Sequence, residues 1–493
     1  MILTPQEMLA AEEAVFARGV CAEKLMKKAG LGIAIAILER WPDPGKLTCY
    51  LGKGNNGGDA LVAARHLLRQ GWQVQLREAE PEATASLLSR KARSRCLAEA
   101  VPLCCHGEKP WIQLDGLLGI GASGPLRSAY RVLTQEMNCN RRVHGAYTVA
   151  LDIPTGLDGT TGDAHSDAVE ADLTLTIAYG KPGLLADHAE RFVGRLAVIP
   201  LPEITQPSTG GDRRAELITA DLLRLAHRRR SVDCYKNQAG HATLIAGSMA
   251  FAGAAILCAE GALASGTGLV TLCAPEVILP WIAPRLSPEI ILRPIPSTEK
   301  ALFDLPATAF GVGPGLGPKP SDSLVDWLEK ELRPTVADAD ALNLLVHHQG
   351  LLGAMNGPRL LTPHPGEFSR LFPEVGELMT RRQRAEQVVA AYPNLTLLYK
   401  GTRSLIGQAQ YPLRYNLTGN PGMASGGMGD FLTGVCTGLL AQGYDTYVAA
   451  SMGAWLCGRA ADQLIATGAQ TCETLRASHL SQALPQAWKD LSR

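Results

Sequence analysis

Short apolar runs of strand length recur along the chain at intervals long enough to hold a helix, and this spacing restricts the fold more than any single motif does. Parallel neighbours need a crossover of a dozen or more residues, usually helical, so the pattern predicts α/β architecture with parallel sheets. The first series places strands in "LTCYLG" (47–52), "WQVQLR" (72–77), "WIQLDGLLG" (111–119), "YTVALDIP" (147–154), "ADLTLTIA" (171–178) and "GRLAVIPL" (194–201). One long helix is expected ahead of them, around "AEEAVFARGVCAEKLMKKAGLGIAIAIL". The polar segment "PEITQPSTGGDRRAE" (202–216) then interrupts the alternation, and its Pro, Ser, Thr and paired Gly read as a linker. Beyond it come "HATLIAG" (241–247), "GLVTLCA" (268–274), "ATAFGVGPG" (307–315), "PTVADADAL" (334–342), "RLLTPHPGE" (359–367) and "NLTLLYKG" (394–401). The second series does not repeat the first, so two different domains are expected, at 1–210 and 217–493.

At 493 residues the chain is too long for one ordinary domain. Lys plus Arg and Asp plus Glu both number 47, which provides no net field for nucleic acid or an anionic membrane. No apolar run reaches the roughly eighteen residues of a membrane span, and the first twenty lack the basic-then-apolar layout of a signal peptide. The twelve cysteines form no C-x-x-C pair, which argues against a zinc ribbon or a redox dithiol, and adjacent Cys104 and Cys105 are read as incidental. A reduced, cytoplasmic protein with neither nucleic-acid nor membrane partners is expected.

In the first part, "YLGKGNNGGDALVAARHLL" (50–68) reads as strand, glycine turn and amphipathic helix. Backbone N–H groups at such a helix start favour an anion, and Asp59 is either part of that site or a helix cap. "LDGLLGIGASGPLR" (114–127) puts Asp115 on a strand before a second glycine loop, and "ALDIPTGLDG" (150–159) puts Asp152 at a strand's carboxyl end. Ligands bind at the carboxyl ends of parallel strands, so three such loops are placed to share one crevice. Each carboxylate there is a structural cap, an acid/base group or a cation ligand. Asp115, Asn56 and Thr155 offer hard oxygens suited to an alkali or alkaline-earth ion rather than zinc.

In the second part, "TGNPGMASGGMGD" (418–430) packs five glycines ahead of an apolar helix expected from about Phe431. Gly426, Gly427 and Gly429 let backbone N–H groups approach a phosphate, and Asp430 is placed to take a proton beside it. The plainer alternative is a capping aspartate among flexible glycines. His364 in "TPHPGE" reads equally as a turn residue or a ligand contact, and Lys400 suits a phosphate as a point charge.

The first series resembles the NAD(P)H-hydrate epimerase family, through "LMKKAG", "NNGGDALVAARHL", "DGLLGIGASGPLR" and "DIPTGLDG", over about residues 1–205. The resemblance implies a Rossmann-like three-layer domain. In it Asn55, Asn56, Gly57, Gly58 and Asp59, with Gly119, Ile120, Gly121, Ala122, Ser123, Gly124 and Pro125, hold the hydrated cofactor. It also implies that Asn56, Asp115 and Thr155 coordinate K⁺ and that Asp152 contacts the reacting ring. Some eukaryotic members carry a lysine in the second loop; "GIGASGP" has none, so Asp152 is the one evident proton-handling group.

The second series resembles the ADP-dependent NAD(P)H-hydrate dehydratases, which have a ribokinase-like fold, over about residues 217–490. "NQAGHATLIAGSMAFAGAAILCAEGALASGTGLVTL", "FGVGPGLG", "VADADALNLL", "LTPHPGEFSRL" and "LYKGTRSLI" stand in that family's order. The resemblance implies that Ala254, Gly317, His364 and Asp430 line the hydrated nicotinamide, and that Lys400, Gly401, Thr402, Arg403, Ser404 and Gly429 hold ADP with Mg²⁺. Met428 stands where the family usually has threonine. Together the two resemblances imply a homo-oligomeric repair enzyme. It would interconvert R- and S-NADHX or NADPHX and dehydrate the S form, releasing AMP and phosphate. The G-x-G-D pattern taken alone also fits a small-molecule kinase fused to a nucleotide-binding module.

Overall fold

The computed structural model describes residues 2–97, 110–121, 124–205, 215–317, 322–348, 350–376 and 379–492. Ala122, Ser123, Cys104, Cys105 and most of the polar segment lie outside the described residues. The chain divides into two compact units, Met1–Arg213 and Arg214–Arg493. No helix among the described residues is long and apolar enough to cross a membrane.

The first unit holds β1 (Lys46–Leu51), β2 (Gln73–Glu78), β3 (Trp111–Gly116), β4 (Tyr147–Leu151), β5 (Leu173–Ile177) and β6 (Arg195–Ile199). They pair in the order β2-β1-β3-β4-β5-β6, every pair parallel, as the spacing predicts. Strands covered on both faces read as nearly continuous apolar runs, and these do. Cys49, Leu51, Leu114, Val149 and Leu151 form one core with Ile33, Ala60 and Leu67, while Tyr50 packs with Tyr130, Leu133 and Met137 of the helix Ser128–His144.

The expected single N-terminal helix is two, α1 (Pro5–Ala17) and α2 (Ala22–Arg40). Gly19 between them sits at φ +84°, a left-handed conformation that glycine adopts without a Cβ clash and that stops the first helix. Thr4 and Glu7 form a reciprocal capping box at the start of α1. The segment before it is tied down by Leu3 N donating to Gly180 O at 2.9 Å. Met8, Ala11 and Val15 then pack against Ile177 and Leu201, which sets α1 over the end of β5.

Among its described residues the second unit holds ten strands: β7 (Ala215–Leu217), β8 (His241–Ile245), β9 (Leu269–Ala274), β10 (Ile290–Pro294), β11 (Ala309–Val312), β12 (Thr335–Ala337), β13 (Arg359–Leu361), β14 (Leu395–Tyr399), β15 (Leu405–Gln408) and β16 (Leu413–Tyr415). Their order is β10-β9-β8-β11-β12-β13-β14-β15-β16-β7, antiparallel only where β15 meets its two neighbours. The polar segment therefore ends earlier than expected, because Ala215 and Glu216 already belong to an edge strand beside β16. Two glycines bring the helices Ala252–Ala264 and Met428–Ala441 backbone to backbone. A Cβ at Gly434 would lie 1.9 Å from Cys258 O, and one at Gly261 would lie 2.3 Å from Phe431 O. That contact sets how closely the two helices approach.

A fragment starting at Arg214 is expected to outlast one starting at Ile218 in thermal unfolding. The shorter piece loses β7, whose Ala215 and Leu217 are buried, a loss of about 2–4 kcal/mol. Equal midpoints would show that β7 contributes nothing to the unit.

Candidate functional site

β1, β3, β4 and β5 are consecutive neighbours in their sheet, so the loops leaving their carboxyl ends share one edge. After β1 the turn is as tight as glycine allows. A Cβ at Gly52 would lie 1.8 Å from Leu117 O, and one at Gly57 would lie 2.4 Å from Gly52 O. Helix α3 (Asn55–Arg69) starts at the exposed Asn55 with Gly54 as its N-cap and no side-chain cap. Asp59 is therefore no cap. It is buried inside the helix, and burial, with the carboxylates of Asp152 and Glu12 nearby, pushes it well above the usual range.

Asn56, Asp115 and Thr155 are brought together. Asn56 Nδ2 donates to Leu118 O at 2.9 Å and Leu151 O at 3.3 Å. Thr155 donates its hydroxyl to Asp115 Oδ1 at 2.7 Å and its N–H to Oδ2 at 2.8 Å, and Leu118 N donates to Thr155 Oγ1 at 3.1 Å. Burial raises Asp115 to about 6 against the hydrogen bonds from Thr155 and Leu117. The cluster is all hard oxygen, and among the described residues no group of three or more His, Cys, Asp or Glu is placed to hold a metal. A weakly polarising cation fits this donor set, and its charge would offset the desolvation of Asp115. In the second loop, Gly119 lies against Asn56, Ile120 packs beside the α1 core, and Gly121, Gly124 and Pro125 are exposed.

Asp152 sits at φ 64° directly after β4, a strained conformation for a non-glycine residue. Its Oδ1 accepts from Ile177 N at 3.1 Å and from the ammonium of Lys181, which is completely buried. Sequence reasoning missed Lys181. It lies in the loop that leaves β5, so the strand-end rule applied to one more strand points to its loop.

In the second unit, β8, β11, β12, β13 and β14 are likewise consecutive. Asp338 follows β12, Glu367 lies in the helix Pro365–Leu371 after β13, and Lys400 follows β14. Lys400 Nζ is 2.8 Å from Asp338 Oδ1 and 3.8 Å from Glu367 Oε2, while Thr433 Oγ1 donates to Asp338 Oδ2 at 2.8 Å. A Cβ at Gly429 would stand 3.3 Å from Lys400 Nζ, so the glycine backbone and the ammonium face the same space.

The glycine-rich helix begins at Met428, three residues before the expected Phe431, with Gly427 at φ +86° as N-cap. Asp430 thus lies in the first turn, where it caps nothing and makes no hydrogen bond among the described residues. Burial, then the carboxylate of Asp338, raises it to about 6, against the pull of Lys400.

The other expected contacts surround this centre unequally. Gly315 lies against Ala254, and Gly317 N donates to Asp340 Oδ2 at 2.8 Å. His364 is the N-cap of its helix. Its Nδ1 accepts from Gly366 N at 3.0 Å, and its Nε2 lies 3.6 Å from Glu367 Oε1. Arg381 packs against Gly401 and donates to Lys400 O at 3.3 Å, bracing the loop. Gly401 and Thr402 are exposed, Ser404 donates to Gly401 O at 3.3 Å, and Arg403 is buried. Asp338, Glu367 and Thr433 were not singled out from the sequence, although Asp338 lies in "VADADALNLL".

Two α/β units, each with buried carboxylates and a glycine-lined helix start at its strand ends, define an enzyme with two nucleotide-handling domains. Residues 22–183 match the family model described as YjeF-related protein N-terminus, and residues 242–486 match the one described as NAD(P)H-hydrate dehydratase. The bifunctional NAD(P)H-hydrate repair enzyme Nnr of Gloeobacter violaceus is 36% identical over 449 residues, 87% of each chain. That of Coxiella burnetii is 34% identical over 465 residues, 92% of each chain. Among solved structures, the ADP/ATP-dependent NAD(P)H-hydrate dehydratase of Bacillus subtilis, co-crystallised with ATP and Mg²⁺, is 32% identical; the match covers 56% of this chain and 98% of that one, with a TM-score of 0.49. The chain belongs to the bifunctional NAD(P)H-hydrate repair enzymes, an epimerase domain followed by a dehydratase domain.

Replacing Thr155 with Val keeps the shape but removes one hydrogen bond to Asp115 and the acceptor of Leu118 N. The first unit is expected to lose about 1–3 kcal/mol, read as a lower thermal midpoint. An unchanged midpoint would mean that water replaces both bonds.

Proposed function

We propose that the ring hydroxyl of S-NADHX or S-NADPHX is deprotonated by Asp430, and that the observation carrying this role is its carboxylate at a glycine-lined helix start, free of hydrogen bonds among the described residues. The hydroxyl oxygen then bonds to the terminal phosphorus of ADP and AMP leaves. Electrons from the ring nitrogen expel phosphate from C6, and loss of a proton from C5 restores the double bond of NAD(P)H. Lys400, held by Asp338 and Glu367, faces the transferring phosphate beside Gly429, and Gly401, Thr402 and Ser404 border the nucleotide. Ala254, Gly317 and His364 Nε2 border the hydrated nicotinamide. Mg²⁺ would be carried by the nucleotide phosphates and neutralise their charge. The name of the Bacillus dehydratase includes both ADP and ATP, and ADP is the co-substrate proposed here.

In the first domain, Asp152 exchanges protons with the C6 hydroxyl or ring during epimerisation. Asn55 to Asp59 and the second glycine loop hold the cofactor's phosphates and ribose. Asn56, Asp115 and Thr155 would hold K⁺, which would supply positive charge to the site. The relatives named as bifunctional repair enzymes support both halves of this reading.

Asp430→Asn is expected to slow dehydration about a hundredfold or more, with ADP binding and epimerisation unchanged. With Asp430 titrating at about 6, the base form is lost as pH falls through that value. The wild-type rate should be flat above it and fall about tenfold per unit below it. A normal rate in the variant, or a flat profile down to about pH 5, would dismiss Asp430 as the base. K⁺ is expected to raise the thermal midpoint of the first domain and the epimerisation rate more than Na⁺ or tetramethylammonium does. Equal effects from all three would remove the cation site.

A further inference from the structure

Lys181 is a fully buried lysine that the reaction outlined above does not use. An ammonium has three protons to place, and all three find acceptors: Asp152 Oδ1, Thr176 Oγ1 at 3.0 Å and Ile177 O at 3.0 Å. A buried charge persists only where it is paired and hydrogen-bonded, and this one meets both conditions. The loop that carries it is fixed on both sides. Leu3 N donates to Gly180 O at 2.9 Å, and Gly183 N donates to Gly159 O at 2.9 Å in the loop after β4. A Cβ at Gly183 would lie 2.2 Å from Asp158 O, so the two loops touch through backbone.

The two oxygens of Asp152 are left in different states. Oδ1 accepts from Lys181, from Ile177 N at 3.1 Å and from Thr176 Oγ1 at 3.4 Å, whereas Oδ2 has no partner among the described residues. The left-handed backbone of Asp152 is the conformation in which its side chain meets these β5 groups, and the contacts hold it there. The other titratable groups facing this pair are Asp59 from α3 and Glu12 from α1. Burial drives both upward, Glu12 to about 7, and of the three carboxylates Asp152 is the one the lysine touches.

We infer that Lys181 is a positioning residue of the epimerase site. It locks Asp152 through Oδ1 and presents Oδ2 as the oxygen that exchanges the proton. This rests on the reading of Asp152 as the proton-handling group, and it adds a residue that no motif contains.

The test uses the full chain carrying Lys181→Ala, with Lys181→Met as a second variant that keeps the apolar stem. Epimerisation is followed by chromatography of the two hydrates. The expected result is a fall in kcat of about a hundredfold, with KM within about threefold and dehydration of the S epimer unchanged. Added ethylammonium should restore at least about tenfold in Lys181→Ala by refilling the site with a cation, and tetramethylammonium should not. Near-normal epimerisation in either variant would overturn the inference. So would loss without amine rescue, or failure of both variants to fold, because either outcome makes Lys181 a stability element only. Asp152→Asn separates the two ideas. If that variant epimerises normally the reading of Asp152 fails, and if it is inactive while Lys181→Met is normal only the present inference fails.

Discussion

A parallel sheet sends every strand out across the same edge, and both sites of this enzyme depend on that constraint. In the first unit the edge collects the ends of β1, β3, β4 and β5; in the second it collects β8, β11, β12, β13 and β14. Residues far apart in sequence, such as Asn56, Asp115, Asp152 and Lys181, are neighbours because their strands are. Glycine does the rest at a few positions. Gly52 against Leu117 O and Gly434 against Cys258 O bring main chain to within a distance no side chain permits, so the helix starts stand beside the strand ends.

The two domains treat buried charge in related ways. Each pairs a lysine after a strand with a carboxylate: fully buried Lys181 with Asp152, and partly buried Lys400 with Asp338. In the first the paired carboxylate is itself the proposed proton carrier, with one oxygen engaged and one open. In the second the lysine, paired with Asp338, is proposed to face the phosphate, and the proposed base, Asp430, makes no hydrogen bond among the described residues. The difference suits the chemistry. Epimerisation returns the proton it takes, whereas dehydration needs a base beside an anion that must also be stabilised.

Much of this was legible in the sequence. The strands that meet the sites were found because buried parallel strands read as apolar runs. Asn56, Asp115 and Thr155 were singled out because they lie in or beside recognisable loops, and the structure joins them through Leu118. Edge and hairpin strands escaped. β7, β15 and β16 run to four residues or fewer, and β10 is half exposed and ends in Pro294, so none carries a continuous apolar signal. The break between α1 and α2 turned on one glycine whose φ is invisible before folding. Lys181, Asp338 and Glu367 were missed for a common reason. Their roles come from pairing across strands distant in sequence, and a lone Lys or Asp gives no local sign of its partner.

The central claim is that two separate sites, centred on Asp152 and Asp430, act on two epimers of one hydrate. The most direct measurement supplies the full chain with a mixture of R- and S-NADHX, Mg²⁺ and ADP, and follows NADH absorbance in wild type and in Asp152→Asn. Wild type is expected to convert the whole mixture in one continuous phase. The variant is expected to convert only the S fraction quickly and then to slow to the rate of spontaneous epimerisation. Complete conversion by the variant in a single fast phase would contradict the account, because the R epimer would then be reaching NADH without the site at Asp152.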